Sequence, residues 1–213
     1  MKVALIQASP KSKNSASRTI LDDLRKYFTE EFEIKEFHLK NSFILEEEKE
    51  ELFYCDSLVF AFPLYVDGIP SHLLRCLTEL ELFFKQKEKR EITVYVLINC
   101  GFYEGRQNVL ALEMMENWCI KSGLLWGQGI GIGAGGMLLS VINVPVGHGP
   151  KKNLGTALQI LSKNMIEKKS DKNLLITPNI PRFLYKFMAE FGWRKQIKVN
   201  GLKVKDLYLK KQI

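Results

Sequence analysis

The sequence has little of what builds metal centres or disulfides. Its four cysteines contain no CxxC pair, and its three histidines lack the spacing of metal ligands. This pattern is typical of reduced thiols buried as small apolar side chains, and it argues against a zinc site or an iron–sulfur cluster. We therefore expect no resident metal.

Neither a secretory signal nor a transmembrane span is expected from the sequence. The Met1 end has no apolar run followed by a small-residue cleavage site, so the cytoplasm is the expected location. Residues 123–147 carry no charge, but several glycines interrupt this run and Pro145 closes it. A buried strand followed by a glycine-rich loop explains the run better than a transmembrane segment.

Positive charge is concentrated in the last third of the chain. Residues 151–213 hold 15 Lys and Arg against 4 Asp and Glu, whereas residues 1–150 have a net charge of −4. Lysines scattered over a solvated surface are the simplest interpretation, and contact with nucleic acid, anionic lipid or a phosphorylated ligand is the alternative. Because no helix-turn-helix or RNA-recognition signature accompanies the lysines, we expect no nucleic-acid partner.

What the chain does contain is a regular alternation of apolar runs and amphipathic stretches. Its 213 residues, 46% of them hydrophobic, suffice for one globular domain with a full core. The predicted strands are Val3–Ile6, Phe32–Leu39, Ser57–Phe62, Ile92–Ile98 and Trp126–Ile132. The predicted helices are Ser17–Phe28, Glu46–Phe53, Ile69–Phe84, Gln107–Lys121 and Asn153–Glu167.

The inner strands are continuously apolar, which indicates a parallel sheet covered by helices on both faces. We predict that this α/β domain spans residues 1–170. A basic, aromatic and helical extension over residues 171–213, with a helix-like stretch at Thr177–Arg194, is expected to follow without forming an independent domain.

In such a sheet, ligands bind beyond the carboxyl ends of the strands. The loop after the first strand, "SPKSKNSAS", leads into a helix N-terminus and contains Lys11. Its hydroxyl donors are Ser9, Ser12, Ser15 and Ser17. We predict a cradle for a phosphate group, although no GxxxxGK[ST] pattern of a nucleotide-hydrolysing loop is present. An ordinary helix cap by Asn14 or Ser15 is the alternative.

The loop after the third strand, "AFPLYVDGIPSHLLRCLTEL", completes a resemblance. Together with the first loop, it resembles the flavodoxin-like superfamily of NAD(P)H-dependent FMN reductases and NAD(P)H quinone reductases, over about residues 1–165. The resemblance implies a doubly wound, five-stranded parallel sheet of order 2-1-3-4-5. It also implies FMN as the cofactor and NADPH or NADH as the co-substrate.

By this resemblance, three loops hold FMN. The first holds the phosphate, the Pro-Leu-Tyr segment runs along the isoalloxazine, and "NCGFYEGRQN" after the fourth strand is a second ring loop. The implied phosphate residues are Ser9, Lys11, Ser15, Ala16 and Ser17. The implied ring residues are Pro63, Leu64, Tyr65, Val66, Asp67, Asn99, Cys100, Gly101 and Phe102.

The residue types of these loops suit a flavin. Isoalloxazine is flat and mostly apolar with polar edges, so it needs aromatic or aliphatic faces and backbone groups at its rim. Tyr65 as a core residue is the alternative, but a loop between a proline and a glycine is a poor place for buried packing. The chain departs from the resembled family at Lys11, where arginine is common. Lysine cannot make the bidentate phosphate contact that arginine makes.

We therefore predict an FMN-dependent oxidoreductase that passes reducing equivalents from NAD(P)H to a flavin, quinone or similar small electron acceptor. No catalytic side chain is required, because the flavin carries the chemistry. The alternatives are a flavodoxin-type electron carrier and a flavodoxin-fold binding protein that has lost FMN. We also expect a homodimer, with the aromatic stretch Pro181–Trp193 packed on its own domain, on the dimer partner or, as a third choice, on a membrane surface.

Three further motifs have simpler explanations. The run from Gly131 to Gly136 matches GxGxxG, but no helix pattern follows directly and no acid stands about 20 residues later, so we interpret it as a strand entering a glycine loop. His148 is expected on a surface loop, where contact with substrate is the alternative. Asp22 and Asp23 are predicted to lie together on a solvated helix face.

Overall fold

The computed structural model describes residues 1–11, 14–88 and 90–209, which group into two compact units, Met1–Asn179 and Ile180–Ile213. The strands are β1 (Lys2–Gln7), β2 (Glu33–His38), β3 (Ser57–Pro63), β4 (Thr93–Asn99), β5 (Leu125–Ile132) and β6 (Leu174–Ile176). The helices are α1 (Ala16–Arg25), α2 (Glu46–Phe53), α3 (Ser71–Gln86), α4 (Val109–Ser122), α5 (Gly135–Leu138), α6 (Lys152–Ile166) and α7 (Arg182–Val199). Short 3₁₀ turns cover Gly105–Asn108, Gly149–Lys151 and Val204–Tyr208.

The described strands form one parallel sheet in the order β2-β1-β3-β4-β5-β6. The predicted doubly wound α/β fold and its order 2-1-3-4-5 are confirmed. The order reverses between β1 and β3, so a crevice is expected where the carboxyl ends of these two strands diverge. We call this side of the sheet the carboxyl edge and the opposite side the amino edge.

The inner strands are apolar throughout because helices cover both faces of the sheet. On β3, Phe60 and Phe62 pack into the cluster that contains helix α3, whereas Val59 belongs to the cluster on the other face, with helices α1 and α6. Burying one such Phe or Val contributes roughly 2 kcal/mol to folding. The four cysteines are free and buried, as the sequence predicts.

Two short elements differ from the prediction. Strand β6 lies in the segment that we expected to be a helical extension, and it pairs with Ile130–Ile132 of β5 to give the sheet a sixth strand. Its three residues are too few to show a period. Helix α5 begins within the glycine run, at Gly135. No helix pattern is visible there because one turn of Gly-Gly-Met-Leu has little helical preference of its own.

The prediction of a solvated Asp22–Asp23 pair is wrong for Asp23. Asp22 is exposed and pairs with Arg18, but Asp23 is 2% exposed and its Oδ2 lies 2.5 Å from the Nζ of Lys151, itself 1% exposed. The angles of this ion pair are not those of a directed hydrogen bond. Lys26 Nζ donates to Asp23 Oδ1 over 2.7 Å. Asp23 is buried because α1 turns this side of the helix towards α6.

The unit Ile180–Ile213 is built around α7, an 18-residue helix. None of the residues of α7 is buried. Within the described ranges, no helix is both long and apolar enough to cross a bilayer. That residues 171–213 do not form an independent domain remains a prediction, as does the boundary at residue 170.

Candidate functional site

Three loops meet at the carboxyl edge because the strands that carry them are neighbours. The Ala8 N–H, just beyond β1, donates to the Ala61 carbonyl of β3 over 2.8 Å. The Leu64 N–H, just beyond β3, donates to the Asn99 carbonyl at the end of β4 over 2.8 Å. The first, second and third loops, which follow β1, β3 and β4, are thereby fixed side by side.

The first loop presents hydroxyl groups at the start of α1. Ser15 is the N-cap, and its Oγ accepts from the Arg18 N–H over 3.2 Å and from Gln7 Nε2 over 3.3 Å. Ser9 Oγ accepts from the Lys11 N–H over 3.3 Å. The cap interpretation is therefore correct for Ser15. Because each of these hydroxyls acts as an acceptor in these bonds, its hydrogen can still be donated to a ligand.

Backbone donors add to this set. The first N–H bonded within α1 is that of Thr19, which donates to the Ser15 carbonyl over 3.1 Å, so the N–H groups of Ala16 and Ser17 have no acceptor within the helix. Hydroxyl hydrogens, the first-turn N–H groups of α1 and the exposed Lys11 together form a donor set that fits an anion such as a phosphate. Ser12 lies outside the described residues.

Asn99 connects the first loop with the second. Its Nδ2 donates to Ser17 Oγ over 2.9 Å and to the Phe62 carbonyl over 3.1 Å, and the residue is 5% exposed. Its Oδ1 faces Gly135, where an added Cβ would come within 2.7 Å. Asn99 is one of the residues expected near the flavin ring, but its side chain links two strands and a helix inside the protein. The sequence signal for this linking role is a polar residue, Asn99, at the end of the apolar strand β4.

The second loop is a tight hairpin. Tyr65 and Gly68 exchange two backbone hydrogen bonds, of 3.1 and 3.0 Å, and the residues between them, Val66 and Asp67, have φ angles of 48° and 57°. Two positive φ angles are the mark of a type I′ turn, which favours Asn and Gly and is strained for a β-branched residue. This turn raises Tyr65 from the sheet, so the residue is 45% exposed and does not belong to the core.

The third loop is held from inside by Cys100. Its Sγ lies 3.7 Å from the Phe102 carbonyl and 3.6 Å from the Glu104 carbonyl, and Asn108 Nδ2 donates to it over 3.5 Å. Burial raises the pKa of the Cys100 thiol, and the contacts with Phe102 and Asn108 offset part of that rise. The thiol is therefore neutral and points inward, whereas Gly101 and Phe102 are exposed, Phe102 by 55%.

The glycine run of β5 serves this loop. A Cβ on Gly133 would collide with the Tyr103 carbonyl, and one on Gly105 would collide with backbone atoms of Gly131 and Ile176. The GxGxxG pattern thus lets the backbone of the third loop lie directly on β5 and β6, which is the close approach that glycine permits. This packing accounts for Gly131 and Gly133 without a dinucleotide, whereas a Cβ on Gly136 would meet no atom within 4 Å.

The remaining predicted site residues lie around these loops. Pro63 pairs with Asn99 at the ends of β3 and β4, and Leu64 is partly buried against the core. His148 is exposed, with Nδ1 3.3 Å from the Val146 carbonyl. Within the residues that the structure describes, no three His, Cys, Asp or Glu side chains are arranged to hold a metal.

A cleft of about 240 Å³ lies at the amino edge instead, between the ends of α3 and α4. Its lining includes Phe84, Lys87, Arg90 and Ile120. Lys87 is already paired with Glu50, and Arg90 with Asp56. We assign the candidate cofactor site to the carboxyl edge and not to this cleft, because the helix start and the exposed aromatic loops are found at the carboxyl edge.

The strand order, the donor-rich helix start and the adjacent loops define a flavodoxin-like protein. Residues 1–75 match the family model described as "Flavodoxin-like fold". The flavodoxin-like fold that the resemblance implied is thus confirmed. No curated protein matches the sequence.

Solved structures with this fold include reductases. A protein (NADPH-quinone reductase) from P. pentosaceus is 16% identical with a TM-score of 0.58, and the match covers 76% of this chain and 98% of that one. An NAD(P)H:quinone oxidoreductase from Methanothermobacter marburgensis is 18% identical with a TM-score of 0.56, covering 76% and 98%. An NADH:FMN oxidoreductase in its apo form is 15% identical with a TM-score of 0.56, covering 80% and 90%. At these identities the likeness establishes the fold.

Proposed function

We propose that the protein is an FMN-dependent oxidoreductase that transfers reducing equivalents from NADPH or NADH to a flavin, quinone or similar small acceptor. The observation that carries the proposal is the Asn99 side chain, which joins the donor-rich start of α1 to the end of β3. A phosphate group and an aromatic ring of one ligand would thereby be held in a fixed relation. The named activities of the structural neighbours support the same class.

The chain's own residues have separate tasks in this proposal. Ser9, Ser15 and the first-turn N–H groups of α1 bind the phosphate, and Lys11 adds charge. Tyr65 and Phe102, exposed on neighbouring loops, cover the flat ring, and backbone groups of Val66, Asp67 and Gly101 meet its polar rim. Bound FMN supplies two-electron hydride transfer, so these residues bind and orient and none acts as an acid or base.

A titration with FMN and riboflavin tests the phosphate part of this proposal. A phosphate bound by charge-assisted hydrogen bonds should make FMN bind at least about tenfold more tightly than riboflavin. Lys11→Met should weaken FMN binding and leave riboflavin binding unchanged, and Lys121→Met, on an exposed face of α4, is the matched control. Equal affinities for FMN and riboflavin would show that the cradle is misassigned.

Activity distinguishes the remaining functions. NAD(P)H oxidation by the FMN-loaded protein with menadione or free FMN as acceptor identifies an oxidoreductase. Bound FMN without NAD(P)H oxidation would identify an electron carrier, and a protein that does not bind FMN at all would be a binding protein on this fold. We also propose a cytoplasmic homodimer, in which the partner copy closes part of the ring site.

A further inference from the structure

Helix α7 carries a stripe of exposed aromatic side chains. Phe183, Phe187 and Phe191 are 75%, 67% and 65% exposed and lie four residues apart, so they follow one another along one face. Leu184 and Met188 lie beside them and are 38% and 42% exposed. Helix α7 buries none of its residues, so five large apolar side chains on one face are left exposed. An apolar helix face normally packs against another apolar surface.

Cations continue this stripe along the helix. With 100° per residue, Arg194, Lys195 and Lys198 lie on the same side of α7 as Phe191, one to two turns further on. Residues 180–213 hold nine Lys and Arg against two Asp and Glu. The apolar half and the cationic half of the face therefore follow each other along the helix axis.

We propose that α7 binds the surface of a bilayer containing anionic phospholipids, with the helix lying in the interface. The phenyl rings, Leu184 and Met188 would lie among the upper acyl chains, and Lys195 and Lys198 would contact the phosphate groups of the lipids. Arg194 lies 3.9 Å from the Glu190 carboxylate and adds to the positive charge of this part of the face only in part. This occupant offers both an apolar phase and negative charge. The unit would thereby hold the α/β domain at a membrane surface.

Charge and side-chain type favour this occupant over two others. Two copies of the unit would bring strongly positive segments together, which opposes pairing of this face in a homodimer. A nucleic acid would satisfy the cations, but it has no apolar phase for Leu184, Met188 and the exposed Val199. Lipid is the partner that accommodates both parts of the face.

Cosedimentation of the full chain with vesicles tests the proposal. The protein should sediment with vesicles of phosphatidylcholine and phosphatidylglycerol, and about tenfold more weakly or not at all with pure phosphatidylcholine. Lys195→Gln with Lys198→Gln should weaken binding by about thirtyfold. Phe187→Gln with Phe191→Gln should weaken it by at least about tenfold while leaving the helical content unchanged.

The matched control removes two exposed lysines from the α/β domain, by Lys121→Gln with Lys163→Gln, and should bind anionic vesicles as the parent does. Absence of binding to anionic vesicles, equal binding to neutral ones, or loss of binding in the control would overturn the proposal.

Light scattering on the Phe187→Gln, Phe191→Gln variant gives another check. A parent dimer that becomes monomeric in this variant would assign the face to self-association, and tighter binding to a single-stranded oligonucleotide than to vesicles would assign it to nucleic acid.

Discussion

Asn99 Nδ2 donates to Ser17 Oγ over 2.9 Å, and this bond joins the end of the fourth strand to the first turn of α1. The same nitrogen donates to the Phe62 carbonyl, so one amide group fixes three elements. The candidate phosphate loop and the candidate ring loops are consequently parts of one rigid arrangement.

Removing this amide should loosen the arrangement. We expect Asn99→Ala to lower the free energy of unfolding by about 1–3 kcal/mol, because Ser17 and the Phe62 carbonyl lose a buried donor. FMN binding should weaken in the same variant. Urea denaturation and flavin titration measure the two effects, and Asn117→Ala on an exposed face of α4 is the control. An Asn99→Ala protein as stable as the parent would contradict the linking role.

Tyr65 should contribute to ring binding and little to stability. Its side chain is 45% exposed, so Tyr65→Ser should leave the unfolding midpoint nearly unchanged and weaken FMN binding, whereas Tyr65→Phe should retain it. Tyr54→Ser, which changes an exposed tyrosine at the amino edge, should not affect FMN. Fluorescence quenching of FMN is the measurement, and unchanged affinity and flavin spectrum in Tyr65→Ser would move the ring site elsewhere.

Val66 should be replaceable with a gain in stability. It adopts a φ of 48° with its side chain fully exposed, so it gains nothing from packing and is strained in the left-handed region. Val66→Asn should raise the free energy of unfolding by about 1 kcal/mol, because asparagine tolerates this conformation. Ile142→Asn, at an exposed position without a positive φ, is the comparison. A Val66→Asn protein no more stable than the parent would show that the turn is unstrained.

Lys151 should be needed for stability, unlike its neighbour. Lys151→Met leaves the buried carboxylate of Asp23 with Lys26 alone, and we expect a loss of about 3 kcal/mol. Lys152→Met changes an exposed lysine one residue later and should have little effect. Combining Lys151→Met with Asp23→Asn should restore part of the loss. Thermal denaturation distinguishes these variants, and similar midpoints for Lys151→Met and Lys152→Met would refute the importance of the ion pair.

Alkaline pH should destabilise the fold through Cys76. Burial, with a smaller contribution from Glu79, raises the pKa of this thiol from 9.0 to about 11. Below pH 9 both the folded and the unfolded thiol hold their proton, so stability does not change; between pH 9 and 11 only the unfolded thiol ionises, so stability falls. The free energy of unfolding should therefore fall less steeply across this window in Cys76→Ala than in the parent. Identical slopes would contradict the shift.

The sheet was predictable because burial on both faces forces continuous apolar runs, and Ser57–Phe62 was predicted to within one residue of β3. Strand β6 was not, because its three residues owe their conformation to pairing with Ile130–Ile132 and carry no period of their own. The burial of Asp23 was invisible for a related reason, since its partner Lys151 is distant in the sequence and meets it only after α1 and α6 have packed.

The candidate site was predictable to the level of its loops. Hydroxyl groups after β1 and an aromatic residue after β3 are visible as composition at the ends of apolar runs. The inward direction of Asn99 and Cys100 depends on where Ser17, Phe62 and the third loop come to lie, which a linear pattern does not encode. The resemblance implied that these two residues lie near the flavin ring, whereas in the structure their side chains bond to other parts of the protein.

The contact between the third loop and β6 determines how the chain can be shortened. The Gly133 N–H donates to the Ile176 carbonyl over 2.9 Å, and Gly105 lies against the same residue. A fragment that ends after Asp171 keeps every residue of the candidate site but lacks β6, against which the third loop packs. We therefore expect a stable fragment of the α/β domain to need the chain at least as far as Ile176.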